Sequence, residues 1–252
     1  MDPTAPTPAE LLRRELGRDA ARPFVTFYDD ATGERVELSV TTFDNWVAKT
    51  AGFLQSGLGA DQGDRVALML PAHWQSLVWA AACWATGTCA VTEGFDDVIV
   101  AVAGPDAVDA AWDTGAADVV AMSLRPLGGR FTSPPRAGTL DYAVEVPGWP
   151  DRFAPIARPE SIEPGLDAAG AVHTLGGLVG LAVQRAEQVG AGPGARVLVA
   201  TDDLRAAVVD ALLVPLVAGG SAVLVRHEDP SGRDARVRAE RVTTVVDAPA
   251  AA

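Results

Sequence analysis

The sequence predicts an α/β protein: parallel sheets with flanking helices, arranged in two similar βαβ-rich subdomains. The prediction depends on one pattern that occurs twice, in which a short apolar strand precedes a helix-length apolar segment and a second short strand. The distance from Arg65 to Gly87 is 22 positions, and the distance from Arg196 to Gly219 is 23. A strand, a helix and a second strand in this order make a βαβ unit, whose two strands are parallel.

The segment before the first copy predicts four elements. Leucines on one side of 8–17 indicate a first helix, and apolar runs at 24–28 and 35–39 indicate two strands of a hairpin. A long helix follows, with Ser39 to Thr41 as candidates for its N-cap. Lys49 falls off the apolar face of that helix, so we expect a solvated surface lysine.

Between the two copies the alternation of strand and helix continues and then fails. Eight of the chain's 18 prolines lie between Arg125 and Pro164, which predicts a loop-rich connection with a strand at 142–146. A helix is predicted over about 168–189. The glycine-rich turn at 190–194 follows a helix and opens a strand, which is the reverse of a dinucleotide-binding fingerprint.

These elements predict a single domain over 1–252. Its first subdomain is expected to cover about 8–124, the proline-rich connection about 125–166, and the second subdomain about 167–247.

Composition excludes several classes of partner. Proteins that bind nucleic acids or anionic membranes carry clustered cations. The formal net charge of this chain is −13, so we expect neither as a partner. Cys83 and Cys89 lie in apolar surroundings, which favours buried thiols over a metal site. Residues 1–10 lack the pattern of a signal peptide, and the longest apolar run, at 77–91, is too short to span a bilayer. We therefore expect a cytoplasmic protein without a metal.

Three segments resemble the AMP-binding, adenylate-forming enzymes of the acyl-CoA synthetase type. They are Gly63 to Pro71 with the later Ala85-Thr86-Gly87, Pro215 to Leu224, and Glu240 to Thr244. The resemblance implies the N-terminal domain of such an enzyme, with its two similar βαβ-rich subdomains. Over its whole length the chain also resembles a group of short actinobacterial proteins distantly similar to these enzymes.

The phosphate loop that the resemblance implies is missing from its expected place. Members carry a Ser/Thr/Gly-rich loop with a lysine, whose amides and ammonium hold phosphates, just before a segment like Ala171 to Thr174. Here Ser161 to Gly170 has no lysine, and it contains Glu163 and Asp167, which we expect to repel a triphosphate.

The resemblance also implies elements that would lie beyond the strand predicted at 242–246. These are the adenine-binding segment, the ATP-contacting acid, and a small C-terminal domain with its catalytic lysine. Lys49 lies far upstream of every phosphate element, so we do not expect it to replace that lysine.

The sequence leaves few candidate site residues. His173 and Thr174 flank the lost loop, and Thr201, Asp202 and Asp203 follow a predicted parallel strand, where doubly wound folds place ligands. Thr201 or Asp202 is alternatively expected to cap the next helix. The three histidines are far apart in sequence, and we expect structural roles for them.

Two functional hypotheses remain open. The first is a non-adenylating relative that binds a partner protein or a small ligand, without catalytic residues and without a cofactor. The second is a nucleotide- or acyl-CoA-binding protein that retains residual or partner-dependent ligase activity with ATP or AMP. A homodimer that covers an open sheet edge is also expected.

Overall fold

The structure is a computed structural model that describes residues 6–247. Residues 1–5 and 248–252 lie outside the described part. The expectation about a signal peptide in residues 1–10 therefore falls partly outside it. The strands are β1 (Pro23–Asp29), β2 (Glu34–Ser39), β3 (Arg65–Met69), β4 (Cys89–Glu93), β5 (Val100–Ala103), β6 (Asp118–Ala121), β7 (Leu140–Asp141), β8 (Pro164–Ala168), β9 (Ala171–Thr174), β10 (Arg196–Ala200), β11 (Ser221–Arg226) and β12 (Thr244–Val246).

The helices surround and separate the strands. They are α1 (Pro8–Asp19), α2 (Val40–Gly52), α3 (Trp74–Thr86), α4 (Val108–Asp113), α5 (Tyr142–Glu145), α6 (Leu175–Val189), α7 (Leu204–Ala207), α8 (Val214–Ala218) and α9 (Arg233–Ala239). π-Helical turns extend α2 through Phe53–Gly57 and join α7 to α8 through Val208–Leu213.

The strands form two sheets. Within the described residues, sheet 1 has the order β12-β10-β11-β1-β2 and sheet 2 the order β7-β6-β5-β3-β4-β8-β9. All neighbours are parallel except the hairpins β1–β2 and β8–β9. The predicted α/β class with parallel sheets is confirmed, and each βαβ copy lies in a different sheet.

Both sheets share one large hydrophobic core. Buried side chains of α1, α2, α3, α6 and the α7–α8 segment belong to one hydrophobic cluster that also contains buried side chains from both sheets. The fully buried Trp74, Trp79 and Trp84 of α3 belong to this core and act as packing residues. The outer face of sheet 2 packs against α4, and the outer face of sheet 1 packs against Val237 of α9.

The membership of the sheets does not follow chain order. β1 precedes the first copy, yet it pairs in parallel with β11 of the second copy. β8 begins at the end of the proline-rich connection, yet it pairs with β4 in sheet 2. The predicted boundaries at 8–124, 125–166 and 167–247 stay a prediction about subdomains, because each sheet takes strands from more than one of these ranges.

Two local predictions are wrong. The strand predicted at 142–146 is the helix α5, which starts where the Asp141 carboxylate accepts a hydrogen bond from the Ala143 amide at 2.9 Å. The helix predicted from 168 begins only at Leu175, because Ala169 and Gly170 both adopt left-handed backbone angles and turn β8 into β9. Short apolar runs do not distinguish a strand from one helical turn.

The prediction of Lys49 as a solvated lysine is also wrong. Its Nζ donates hydrogen bonds to the carbonyl oxygens of Pro147, at 3.1 Å, and Trp149, and it pairs with Asp151 at 3.0 Å. The Trp149 ring packs closely on α2, where a methyl group at Gly52 would lie 3.1 Å from it. Lys49 therefore connects the proline-rich segment to α2 through hydrogen bonds and an ion pair.

Arg196, the arginine of the second copy, lies on β10 and connects it to two other strands of sheet 1 and to the end of α9. Its guanidinium donates to Thr26 of β1 at 2.9 Å, to Ser221 of β11 at 3.2 Å, and to the carboxylate and main-chain oxygen of Glu240. Glu240 is 9% exposed and also accepts bonds from Tyr28 and Arg35. Burial opposes ionisation, but these donors outweigh it and lower the pKa of Glu240 to about 2.

We predict that Glu240→Gln destabilises the protein by about 3 kcal/mol at pH 7, because it leaves the half-buried Arg196 guanidinium without its carboxylate. The pKa of Glu240 is depressed from 4.5 to about 2, so its stabilisation is complete above about pH 5 and is lost as the pH falls toward 2. Urea unfolding between pH 3 and 8 measures this.

The matched control is Glu37→Gln, which removes an exposed carboxylate paired with Arg35 at 2.9 Å. It should change the unfolding free energy by less than about 1 kcal/mol. An equal loss of unfolding free energy in both variants contradicts the structural role of Glu240. So does a loss in Glu240→Gln that does not become smaller as the pH is lowered.

Candidate functional site

The place expected to hold a phosphate loop holds a two-residue turn. β8 and β9 are antiparallel, with Asp167 opposite Val172 and Ala168 opposite Ala171. Ala169 and Gly170 connect them with φ values of 51° and 86°. Two consecutive left-handed residues are the geometry of a tight type I′ hairpin turn. The hairpin is therefore closed by its shortest connection.

Asp167 is built into this turn. Its Oδ1 accepts a hydrogen bond from the Gly170 amide at 2.8 Å, and its Oδ2 accepts one from Arg65 Nη1 at 2.7 Å. Arg65 is the arginine of the first copy, and Asp167 is only 4% exposed. The Ala169 amide donates to the carbonyl oxygen of Glu93 at 3.2 Å. Both amides of the turn are thus used within the protein.

Glu163 also has a partner near the start of the hairpin. Gln62 Nε2 donates to its Oε1, and its main-chain oxygen accepts the Leu175 amide at 2.8 Å. The two acids that we expected to repel a triphosphate therefore have structural contacts of their own.

His173 and Thr174 lie at the outer strand of sheet 2. Thr174 is the N-cap of α6, because its Oγ1 accepts a hydrogen bond from the Gly177 amide at 3.0 Å. His173 is half-buried on β9, opposite Leu166. Neither contact defines a ligand site, so their predicted role in binding stays a prediction.

Thr201, Asp202 and Asp203 lie at the carboxyl end of β10, as predicted. The N-cap of α7 is Asp203, whose Oδ1 accepts the Ala206 amide at 2.7 Å, and not Thr201 or Asp202 as expected. Thr201 Oγ1 accepts the Asp203 amide at 3.1 Å. The main-chain oxygen of Asp202 accepts the Ala72 amide at 3.0 Å, which links the two sheets.

Asp202 belongs to a polar cluster that the sequence analysis missed. Asp29 Oδ1 lies 2.9 Å from Nδ1 of His227, and the His227 amide donates to Asp202 Oδ1 at 3.0 Å. Arg226 lies 3.9 Å from Asp29 and 3.8 Å from Asp202. These residues end or follow β1, β10 and β11, whose carboxyl ends meet at one edge of sheet 1.

The charges of this cluster are compensated internally. Burial opposes ionisation of Asp29, but the bonds from His227 and the Ala31 amide hold its pKa below the usual value. His73 caps α3 nearby through the Gln75 amide, and burial lowers its pKa to about 3, so its ring is neutral. Asp29 and His227 form an oriented acid–imidazole pair, but the contacts described place no nucleophile beside it.

No group of three or more His, Cys, Asp or Glu side chains in residues 6–247 is placed to hold a metal ion. Among the described helices, none combines the length and the hydropathy needed to cross a membrane. Burial raises the pKa of Cys83 to about 12, which leaves its thiol protonated at neutral pH.

A cavity of about 630 Å³ lies at the other end of α3. His73 caps the first turn of this helix, and the cavity is lined by Trp84 and Ala85 in its last turn. A helix of 13 residues is about 20 Å long, so the cavity and the polar cluster are well separated. The remaining walls come from α1, α2, the α7–α8 segment and the proline-rich segment.

Two solved structures define the class of fold. A putative long-chain-fatty-acid CoA ligase from Rhodopseudomonas palustris matches 95% of this chain with a TM-score of 0.75 and 18% identity. The Brucella canis acyl-CoA synthetase matches 97% of it with a TM-score of 0.77 and 15% identity. The molecule therefore has the AMP-binding fold of acyl-CoA synthetases, and the predicted resemblance is confirmed. The chain spans 62% and 48% of those two proteins.

A curated relative identifies the family. The chain is 35% identical over 246 residues to a TIGR03089 family protein of Mycobacterium tuberculosis, and the match covers 94% of this chain and 96% of that protein. The chain belongs to the TIGR03089 family. No family model matches the sequence.

We predict that Asp167→Asn costs about 3 kcal/mol of unfolding free energy, because Arg65 loses its charged partner and the Gly170 amide loses its strongest acceptor. In a double-mutant cycle with Arg65→Met, the coupling energy should lie between about 1 and 3 kcal/mol. Urea unfolding of the two single variants and the double variant measures it.

The matched cycle uses Asp109→Asn and Arg136→Met, an exposed pair at 3.1 Å. Its coupling energy should stay below about 0.5 kcal/mol. A coupling energy below about 0.5 kcal/mol for Arg65 and Asp167 as well would show that the stability of the turn does not depend on their contact.

Proposed function

We propose that this protein is a non-adenylating member of the acyl-CoA synthetase-like fold and that it acts as a small-ligand-binding protein. The observation that carries the proposal is the two-residue turn at Ala169 and Gly170, in the place where the resemblance expects a phosphate loop.

A phosphate loop holds its ligand through several main-chain amides that point into a common concavity, usually with a lysine. In this turn the Gly170 amide is bound by Asp167 and the Ala169 amide by Glu93. A carboxylate that accepts a turn amide occupies the position of an anionic ligand and repels another anion. The turn therefore lacks both the free donors and the charge that triphosphate binding requires.

The binding role is supported by the cavity beside α3. Its volume of about 630 Å³ lies within the range of about 300–1,000 Å³ that is typical of small-molecule sites. The two solved structures are named for acyl-CoA ligation, and we propose that this chain keeps their scaffold without that reaction. The expected cytoplasmic location and the homodimer remain predictions.

We predict no carboxylate-dependent ATP–pyrophosphate exchange when the purified protein is incubated with ATP, Mg²⁺ and a panel of carboxylic acids of different chain length. The physical reason is that the turn offers no free amides to the triphosphate. A full-length acyl-CoA synthetase assayed in parallel is the positive control. Robust exchange that depends on the added acid contradicts the proposal.

A thermal shift separates the competing hypothesis of nucleotide or acyl-CoA binding. A ligand at 100 times its Kd stabilises a protein by about 2.7 kcal/mol. We expect no shift with ATP, AMP or CoA esters at millimolar concentration. A saturable shift with any of them favours the competing hypothesis, even without exchange activity.

A further inference from the structure

We propose that the cavity at the end of α3 binds an amphipathic amine, with the apolar body against the helix layer and the ammonium against Asp44. The inference rests on the proposed function as a small-ligand-binding protein, for which it names the site and the class of ligand.

The walls of the cavity are apolar and come from separate parts of the chain. The buried lining residues are Leu12 of α1, Val47 of α2, Trp84 of α3 and Leu216 of α8. Phe153 lines the cavity from the mostly exposed proline-rich segment, which forms its outer wall. A cavity with such walls favours a ligand that brings an apolar body out of water.

The outer wall is held in place. Lys49 binds two carbonyl oxygens of the proline-rich segment and pairs with Asp151 at 3.0 Å. Further along, the Ile156 amide donates to Gln55 Oε1 at 3.0 Å. Arg158 pairs with Glu10 of α1. Three separate contacts therefore fix this segment to α1 and to the extended α2, so the cavity is pre-formed.

Asp44 is the half-buried acid of this cavity. It lines the cavity from α2, and within the described residues no hydrogen bond or ion pair is formed by its carboxylate. Burial raises the pKa of Asp44, and the positive charge of Arg13 offsets part of that effect. A carboxylate that burial disfavours and that lacks a close partner gains most from a cation brought by a ligand.

The other charged groups that line the cavity lie at its rim. Asp151 is paired with Lys49, and Arg158 is paired with Glu10. Arg13 and Arg152 are exposed to solvent, where their charges are screened. A ligand anion placed inside would instead face the Asp44 carboxylate. The arrangement favours a cation over an anion, and the net charge of −13 attracts cations in general.

Calorimetric titration of the full chain with octylamine, octan-1-ol and octanoate tests the inference, because the three probes share a chain and differ in charge. We expect octylamine to bind at least about tenfold tighter than octan-1-ol, and octanoate to bind weakest. Asp44→Asn should remove the preference for the amine and leave octan-1-ol binding unchanged. Asp109→Asn, which removes an acid that is exposed and distant in sequence, should change nothing.

A second variant shows where the probe binds. Ala85→Phe places a ring in the cavity and should abolish binding of all three probes. If this variant does not fold, Ala154→Trp fills the cavity from the outer segment with less risk to the core. Equal binding of amine and alcohol, tighter binding of octanoate, or no binding of octylamine overturns the inference. None of these results affects the ATP–pyrophosphate exchange assay. Failure of the amine-binding proposal can therefore be distinguished from failure of the proposed non-adenylating function.

Discussion

The structure depends on an arginine that starts the first strand of each βαβ copy and binds a buried acid from a distant part of the chain. Arg65 of β3 reaches Asp167 on β8, across the intervening β4. Arg196 of β10 reaches Thr26 on β1, across β11, and binds Glu240 after α9. In both sheets the guanidinium joins strands that are not neighbours, and it neutralises a carboxylate that would otherwise be costly to bury.

The two copies use the same interaction with different consequences. In sheet 1, Glu240 lies in a network of donors that only holds strands and a helix together. In sheet 2, the acid that Arg65 binds also accepts the Gly170 amide and thereby closes the β8–β9 turn. The same carboxylate therefore pairs with Arg65 within the sheet and binds the Gly170 amide of the turn at its edge. Asp167 therefore contributes both to the scaffold and to the turn on which the proposed function depends.

Much of the fold could be predicted from the sequence because the repeat of spacing and apolar segments is a local signal. The expectation that Ser161 to Gly170 is not a phosphate loop also came from the sequence, because this segment contains two acids and no lysine. The sequence could not show that Lys49 binds carbonyl groups about 100 positions away. Nor could it show that Asp29 meets His227, because β1 becomes a neighbour of β11 only in the folded sheet. Contacts between distant parts of the chain produce no periodic pattern in the sequence, so these contacts could not be predicted from it.

The amide resonances of Ala169 and Gly170 test the central claim most directly, because they report whether this turn binds phosphates. In a ¹H–¹⁵N titration with ATP and Mg²⁺, both signals should keep their positions up to millimolar nucleotide. In the free protein the Gly170 amide should exchange its hydrogen slowly, because it donates to Asp167. Saturable shifts of these two amides on addition of ATP would contradict the account.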